Sequence, residues 1–137
     1  MKKGFTLVEL LVIIVILGLL GGIGATIFGN VQKQTKERLY QEQLSVIEKR
    51  IREYILENEG RTVTINGKSV KIDIYTENNT IELPISFLIS EEYLDSYPIN
   101  PKCNKKIEGY YLLKVTTKGS YDLEYHMSNT EETFCKV

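Results

Sequence analysis

The sequence predicts an α+β fold, in which one long N-terminal helix packs against a small antiparallel sheet. Two observations lead to this prediction. The stretch Leu10–Phe28 is almost wholly apolar and runs into a second stretch, up to about residue 58, whose apolar residues recur at three- and four-residue steps. That spacing is typical of a helix with one buried face. Beyond residue 60, apolar and polar residues alternate, as in half-buried strands.

The apolar part of the predicted helix is long enough to cross a membrane. From Leu10 to Phe28 there is no charged residue. As a helix this stretch rises about 28 Å at ~1.5 Å per residue, close to the ~30 Å hydrocarbon thickness of a bilayer. We therefore predict a membrane-spanning half over residues 5–29 and an amphipathic half over residues 30–59, which Gly60 ends.

Glu9 is the one charged residue between Lys3 and Lys33. A carboxylate at full membrane depth costs about 2.5–3.5 kcal/mol, so a partner is expected. If the chain were cut after Gly4, the new ammonium of Phe5 would lie in the same apolar layer, and in a stack of helices it could meet the carboxylate of the next copy. Because such a pair offsets the desolvation cost only when copies assemble, Glu9 indicates a polymer.

The start of the apolar helix also carries a family resemblance. The run that carries it is Lys3-Gly4-Phe5-Thr6-Leu7-Val8-Glu9. Followed by an apolar helix, it resembles the class III leader of type IV pilins and the related pseudopilins. The resemblance implies that residues 1–4 are a leader peptide, that a prepilin peptidase cleaves after Gly4 and that Phe5 becomes the N-methylated terminus. Glu9 would be the glutamate that assists assembly.

The same resemblance implies a function, partners and a location. The chain would be a structural subunit of a type IV pilus, serving adhesion, motility or DNA uptake. Its partners would be further copies of itself in a homopolymer filament, minor pilins, the prepilin peptidase, a membrane platform protein and, indirectly, an assembly ATPase. Before assembly the helix would cross the cytoplasmic membrane once, surrounded by lipid, with the N-terminus on the inner side. After assembly the subunit would lie in an extracellular pilus or at the cell surface.

Several alternatives stay open. A pseudopilin of a type II secretion or competence system shares the same leader, and neighbouring genes would distinguish it. A plain secretory signal, cleaved near Gly22–Ala25, and a simple membrane-anchored binding domain both leave Glu9 unexplained. The glycine-rich stretch Gly18–Ala25 favours either close helix packing or a loss of helicity on assembly.

Two cysteines, Cys103 and Cys135, lie in the C-terminal part of the chain. In a domain exported beyond the membrane they are expected to pair, whereas in a cytosolic domain they would stay reduced. A disulfide between them would close a loop of ~30 residues and, by restricting the unfolded chain, would stabilise the fold by roughly 3–4 kcal/mol. In the pilin family such a disulfide delimits a variable surface loop, so the resemblance implies a disulfide-closed C-terminal loop here.

Residues 60–137 are predicted to form the sheet region. Thr62–Ile65 and Val70–Ile74 flank Asn66-Gly67, the favoured dipeptide of a type I′ hairpin turn. A short strand is expected at Thr80–Leu83.

The remainder of the region contains one predicted helix and two predicted strands. Ser90–Leu94 suggests a short capped helix. Gly109–Thr116 and Ser120–Met127 alternate clearly and predict a second antiparallel pair. The polar tail Ser128–Val137 would be held by the disulfide.

No pattern of catalytic, cofactor-binding or metal-binding residues stands out, so we predict that the chain is not an enzyme and needs no cofactor. His126 is the only histidine and is placed on the outward face of a strand. Some pseudopilins hold calcium in a C-terminal loop; Asp95 and Asp122 are too scattered to predict this, and Glu131-Glu132 leaves it open. With 17 basic and 18 acidic residues, the chain has no excess of positive charge that would indicate nucleic-acid binding.

Overall fold

The computed structural model describes residues 4–136, without the side chains of Ala25 and Thr26. The predicted leader residues Met1–Lys3 lie outside the described residues. The chain divides into two compact units, the first ending at Glu37 and the second beginning at Arg38. In chain order the elements are α1 (Leu7–Asn58), β1 (Thr62–Ile65), β2 (Lys68–Lys71), β3 (Thr80–Pro84), α2 (Ile85–Ser90), β4 (Ile99–Asn100), β5 (Lys105–Lys106), β6 (Tyr110–Thr117), β7 (Ser120–His126) and α3 (Asn129–Cys135).

The first unit contains the apolar part of α1. Its large side chains are exposed throughout; Leu11 is 59% and Leu20 63% accessible. Such a continuous apolar surface is far larger than an isolated soluble subunit normally exposes, and it is suited to lipid or to other helices. Within residues 4–136, α1 is the one helix that is long and apolar enough to cross a membrane. The backbone is helical throughout residues 18–25, so loss of helicity on assembly stays a prediction.

The core of the second unit forms where the C-terminal part of α1 meets the sheets. The helix contributes Tyr40, Ile47, Ile51, Tyr54 and Ile55 to this core, with the partly buried Leu44 between the first two. The strands contribute Ile81, Leu83, Tyr111, Leu113 and Val115 to the same cluster. The hydroxyl of Tyr111 donates a hydrogen bond to the carbonyl oxygen of Leu44 at 3.2 Å. The predicted α+β architecture of a long helix and small antiparallel sheets is therefore confirmed.

The first hairpin has the predicted turn but a different second strand. Asn66 and Gly67 both have positive φ, at 51° and 78°, as a type I′ turn requires. A two-residue turn pairs Ile65 with Lys68, so β2 begins two residues before the predicted start at Val70 and ends at Lys71. The isoleucines that follow β2 are buried without belonging to a strand.

The main sheet has the order β3-β6-β7, with antiparallel pairs throughout. Both strands predicted for the C-terminal pair are present within one residue of their expected limits. Tyr121, Leu123 and Tyr125 on β7 are partly buried against the core, on the face that alternation predicted. The small pair of β4 and β5 was not predicted, because two-residue strands carry no periodicity.

The prediction of a helix at Ser90–Leu94 is wrong, because residues 91–94 are not helical. The helix α2 lies directly before it and ends at Ser90, where the hydroxyl bonds to the carbonyl of Phe87 at 2.7 Å. Pro84 precedes α2 in extended conformation and is the last residue of β3, so the helix begins directly at the end of that strand. Glu92 has a positive φ of 65°, which is incompatible with a right-handed helix, so the chain turns at this residue.

Candidate functional site

The start of α1 is a capping box formed by Thr6 and Glu9. The Thr6 amide donates to Glu9 Oε2 at 2.9 Å, and the Glu9 amide donates to Thr6 Oγ1 at 3.2 Å. Two of the amides that a helix start leaves without partners are thereby satisfied. The sequence signature of this box is Thr-x-x-Glu before an apolar run, a signal that the prediction of an assembly role for Glu9 did not need.

The carboxylate of Glu9 lies in an otherwise apolar surface. Phe5 is 81% accessible and Glu9 is also exposed. An open hollow of about 330 Å³ at this site is lined by Phe5, Val8, Glu9, Val12 and Ile13. No salt bridge to Glu9 is present among residues 4–136. A carboxylate in such surroundings can accept an ammonium from outside its own helix.

The bond between Gly4 and Phe5 lies at an accessible position. A Cβ added at Gly4 would meet nothing within 4 Å. In the uncleaved chain the Phe5 nitrogen is an amide, so the ammonium exists only after cleavage. The pairing of Phe5 with Glu9 between copies stays a prediction.

Comparison with known families gives one match. Residues 1–25 match the family model described as the prokaryotic N-terminal methylation motif. The chain carries a class III prepilin-type leader. The match covers Gly4, Phe5 and Glu9 and supports the resemblance to type IV pilins and pseudopilins. The leader and the long apolar helix that follows it are compatible with membrane anchoring. No curated protein and no solved structure matches the chain significantly.

Far along the chain from the prepilin leader, Cys103 and Cys135 form a disulfide with a Cα–Cα distance of 5.1 Å. Cys135 lies in the last turn of α3 and is buried, whereas Cys103 lies in the turn between β4 and β5. The enclosed segment includes β6 and β7. It therefore contains two of the three strands of the main sheet together with α3, rather than only a surface loop.

The acidic residues Asp95, Asp122, Glu131 and Glu132 do not form a cluster that could hold calcium. Among residues 4–136 there is no group of three or more His, Cys, Asp or Glu side chains that could hold a metal ion. Glu131 is fully buried and accepts hydrogen bonds from protein groups. Glu132 instead pairs with Lys136 at 3.6 Å on the surface.

The side chain of His126, predicted on the outward face of a strand, is half-buried. Its ring stacks on Tyr110 with centroids 5.0 Å apart, and its Nε2 lies 4.0 Å from the Glu124 carboxylate. Packing between neighbouring strands accounts for this position.

Proposed function

We propose that this chain is a structural subunit of a type IV pilus. In this proposal the chain is cleaved after Gly4, N-methylated at Phe5 and polymerised through its N-terminal helix into an extracellular filament. The observation that carries it is the methylation motif at residues 1–25, joined to one exposed carboxylate in an apolar helix.

The exposed apolar surface of α1 supports an assembly role. From Leu7 to Val31 the large apolar side chains of this helix are all exposed, so this part of α1 has no core partner within its own subunit. Lipid covers such a surface before assembly, and neighbouring helices cover it in a filament. The same residues therefore serve first as a membrane anchor and then as the contact between subunits.

The capping box supports a specific part for Glu9. Oε2 already accepts the amide of Thr6. A carboxylate has acceptor capacity on both oxygens, so the cap leaves room for a second donor. In this proposal that donor is the methylated ammonium of Phe5 from the neighbouring copy, which neutralises Glu9 when the subunit is inserted.

The proposal requires separate machinery. A prepilin peptidase removes the leader, a membrane platform protein receives the processed subunit, and a cytoplasmic ATPase drives its insertion into the filament. The N-terminus lies on the cytoplasmic side and the second unit on the outer side. An oxidising outer compartment agrees with the Cys103–Cys135 disulfide.

Mass spectrometry of the surface-exposed protein tests the proposal. We expect an N-terminus at Phe5, one added methyl group, and a mass lowered by the two hydrogens lost in the disulfide. The second measurement is the yield of filaments sheared from cells that express the chain with its assembly machinery. An N-terminus near Ala25, or a protein that remains monomeric in such cells, would refute it.

A further inference from the structure

The carboxylate of Glu131 joins three segments of the second unit. Its Oε1 accepts the hydroxyl of Tyr125 on β7, the amide of Glu108 just before β6 at 3.1 Å, and the amide and hydroxyl of Ser128 at 3.4 and 3.3 Å. The Tyr125 hydroxyl oxygen also accepts the amide of Gly109 at 3.1 Å. Glu131 is completely buried. We call this set of bonds the Glu131 network.

The Glu131 network and the disulfide hold opposite ends of α3. Glu131 and Cys135 are the two buried residues of this helix and lie four positions apart, on the same face. Ser128 caps the helix, since its hydroxyl accepts the Glu131 amide at 3.3 Å. The first turn is thus fixed by hydrogen bonds and the last turn by a covalent bond to Cys103.

These two attachments differ in when they can form. The hydrogen bonds need only the folded sheet and a capped helix start, whereas the disulfide needs an oxidant. With the sheet folded but α3 undocked, the segment beyond β7, which ends at His126, is free, and Cys135 would find Cys103 only by ordering that segment, which costs conformational entropy. With α3 docked, that entropy has already been lost.

We propose that Glu131 is a positioning residue for disulfide formation: it docks α3 on the sheet in the reduced protein and so places Cys135 beside Cys103. Glutathione disulfide can supply the oxidising equivalents. The thiolate of one cysteine attacks it, forming a mixed disulfide and releasing one glutathione thiolate. The thiolate of the second cysteine then attacks the protein sulfur of the mixed disulfide and releases the second glutathione. The two cysteine protons pass to solvent or to the released thiolates.

The neighbouring carboxylate provides a matched control. Glu132 is one residue away, carries the same charge, and pairs on the surface with Lys136. Glu132→Gln removes a charge from α3 without touching the network. Glu131→Leu removes the acceptor, and Glu131→Gln keeps an acceptor oxygen but loses the charge.

The test is the rate of ring closure in the full chain, reduced in detergent micelles and mixed with glutathione disulfide. Acid quenching and mass spectrometry separate the mixed disulfide from the closed form. We expect closure in Glu131→Leu to be slower by about tenfold or more, because a charge-assisted acceptor is lost. Glu132→Gln should match the unmodified chain, and Glu131→Gln should be intermediate. In concentrated urea all four should close equally fast.

Wild-type closure rates in folded Glu131→Leu would overturn the proposal. So would a rate difference that persists in concentrated urea, since docking is absent there. If Glu131→Leu does not fold, Tyr125→Phe removes one donor while keeping the ring, and should slow closure to a lesser extent. Ile81→Val, which weakens the core without touching the network, should close at the unmodified rate.

A second measurement examines docking directly. In the full chain carrying Cys103→Ser and Cys135→Ser, the amides of α3 should still be protected from hydrogen exchange. Adding Glu131→Leu should remove this protection, and adding Glu132→Gln should leave it. If α3 in the double serine variant exchanges as fast as in urea, the disulfide alone holds the helix and the proposal is wrong.

Discussion

Thr6 and Glu9 exchange two hydrogen bonds across the first turn of α1, amide to carboxylate and amide to hydroxyl. The carboxylate proposed to receive a neighbour's ammonium is therefore already oriented by its own helix. The cap directs Glu9 towards the N-terminal end, beside the position of the future Phe5 terminus. A fixed side chain loses less conformational entropy when a partner binds it.

Glu9→Gln separates the two functions of this side chain. The amide oxygen of glutamine can still accept the Thr6 amide, so the helix start is kept while the charge is lost. We expect membrane insertion and leader cleavage to continue and the yield of sheared filaments to fall to a small fraction. Glu9→Ala should lose both the charge and the hydrogen bond that Oε2 accepts from the Thr6 amide. Wild-type filament yield from Glu9→Gln would show that the charge pair is unnecessary.

Thr6→Ala should loosen the helix start without changing any charge. Removing Oγ1 leaves the Glu9 amide without its acceptor and costs about 1 kcal/mol. Hydrogen exchange in detergent micelles should then be faster at Glu9. Thr6→Ser retains a hydroxyl and should exchange as the unmodified chain does; equal exchange in all three proteins would mean that the cap contributes nothing.

The second unit should lose stability in alkali. Burial raises the pKa of Tyr54 to about 12, and burial also raises the pKa of Tyr111 and Tyr125. Because an unfolded tyrosine ionises near pH ~10, the stability these neutral phenols contribute is complete below that pH and is lost as the pH rises towards the folded values. Urea unfolding at several pH values between ~9 and ~12 measures the loss.

Tyr54→Phe isolates one contribution to that pH dependence. The Tyr54 hydroxyl is buried and has no hydrogen-bond partner in the described part of the chain, so its removal leaves the packing intact. The free energy of unfolding of Tyr54→Phe should fall less steeply above pH ~10 than that of the unmodified chain. An unchanged slope would assign the alkaline loss to other groups.

Gly109→Ala should destabilise the second unit. An added Cβ would lie 1.9 Å from the carbonyl oxygen of His126, so β6 and β7 would have to separate. Overpacking of this kind typically costs about 1–3 kcal/mol, measured as a lower midpoint in thermal unfolding. Gly29→Ala is the control, since nothing lies within 4 Å of its added Cβ and the midpoint of the second unit should not fall.

The elements that could be predicted are those with a repeating pattern or a specific turn. The apolar helix, the Asn66-Gly67 turn and the pair β6 and β7 each follow from periodicity or from backbone requirements that few residues satisfy. The short helices α2 and α3 were not predicted. With six or seven residues they span too few turns for periodicity, and their formation depends on the surface each one buries.

The described part of the chain contains two capping boxes of the same local type, Thr6 with Glu9 and Ser128 with Glu131. The sequence by itself determined that both glutamates can cap a helix, because the motif needs only residues three positions apart. Only the tertiary structure decided their different surroundings. Glu9 is exposed on an apolar helix, whereas Glu131 is buried and accepts hydrogen bonds from Tyr125 on β7 and from the Glu108 amide just before β6. The physical reason is that burial and long-range hydrogen bonds depend on strands that the local sequence around each glutamate does not contain.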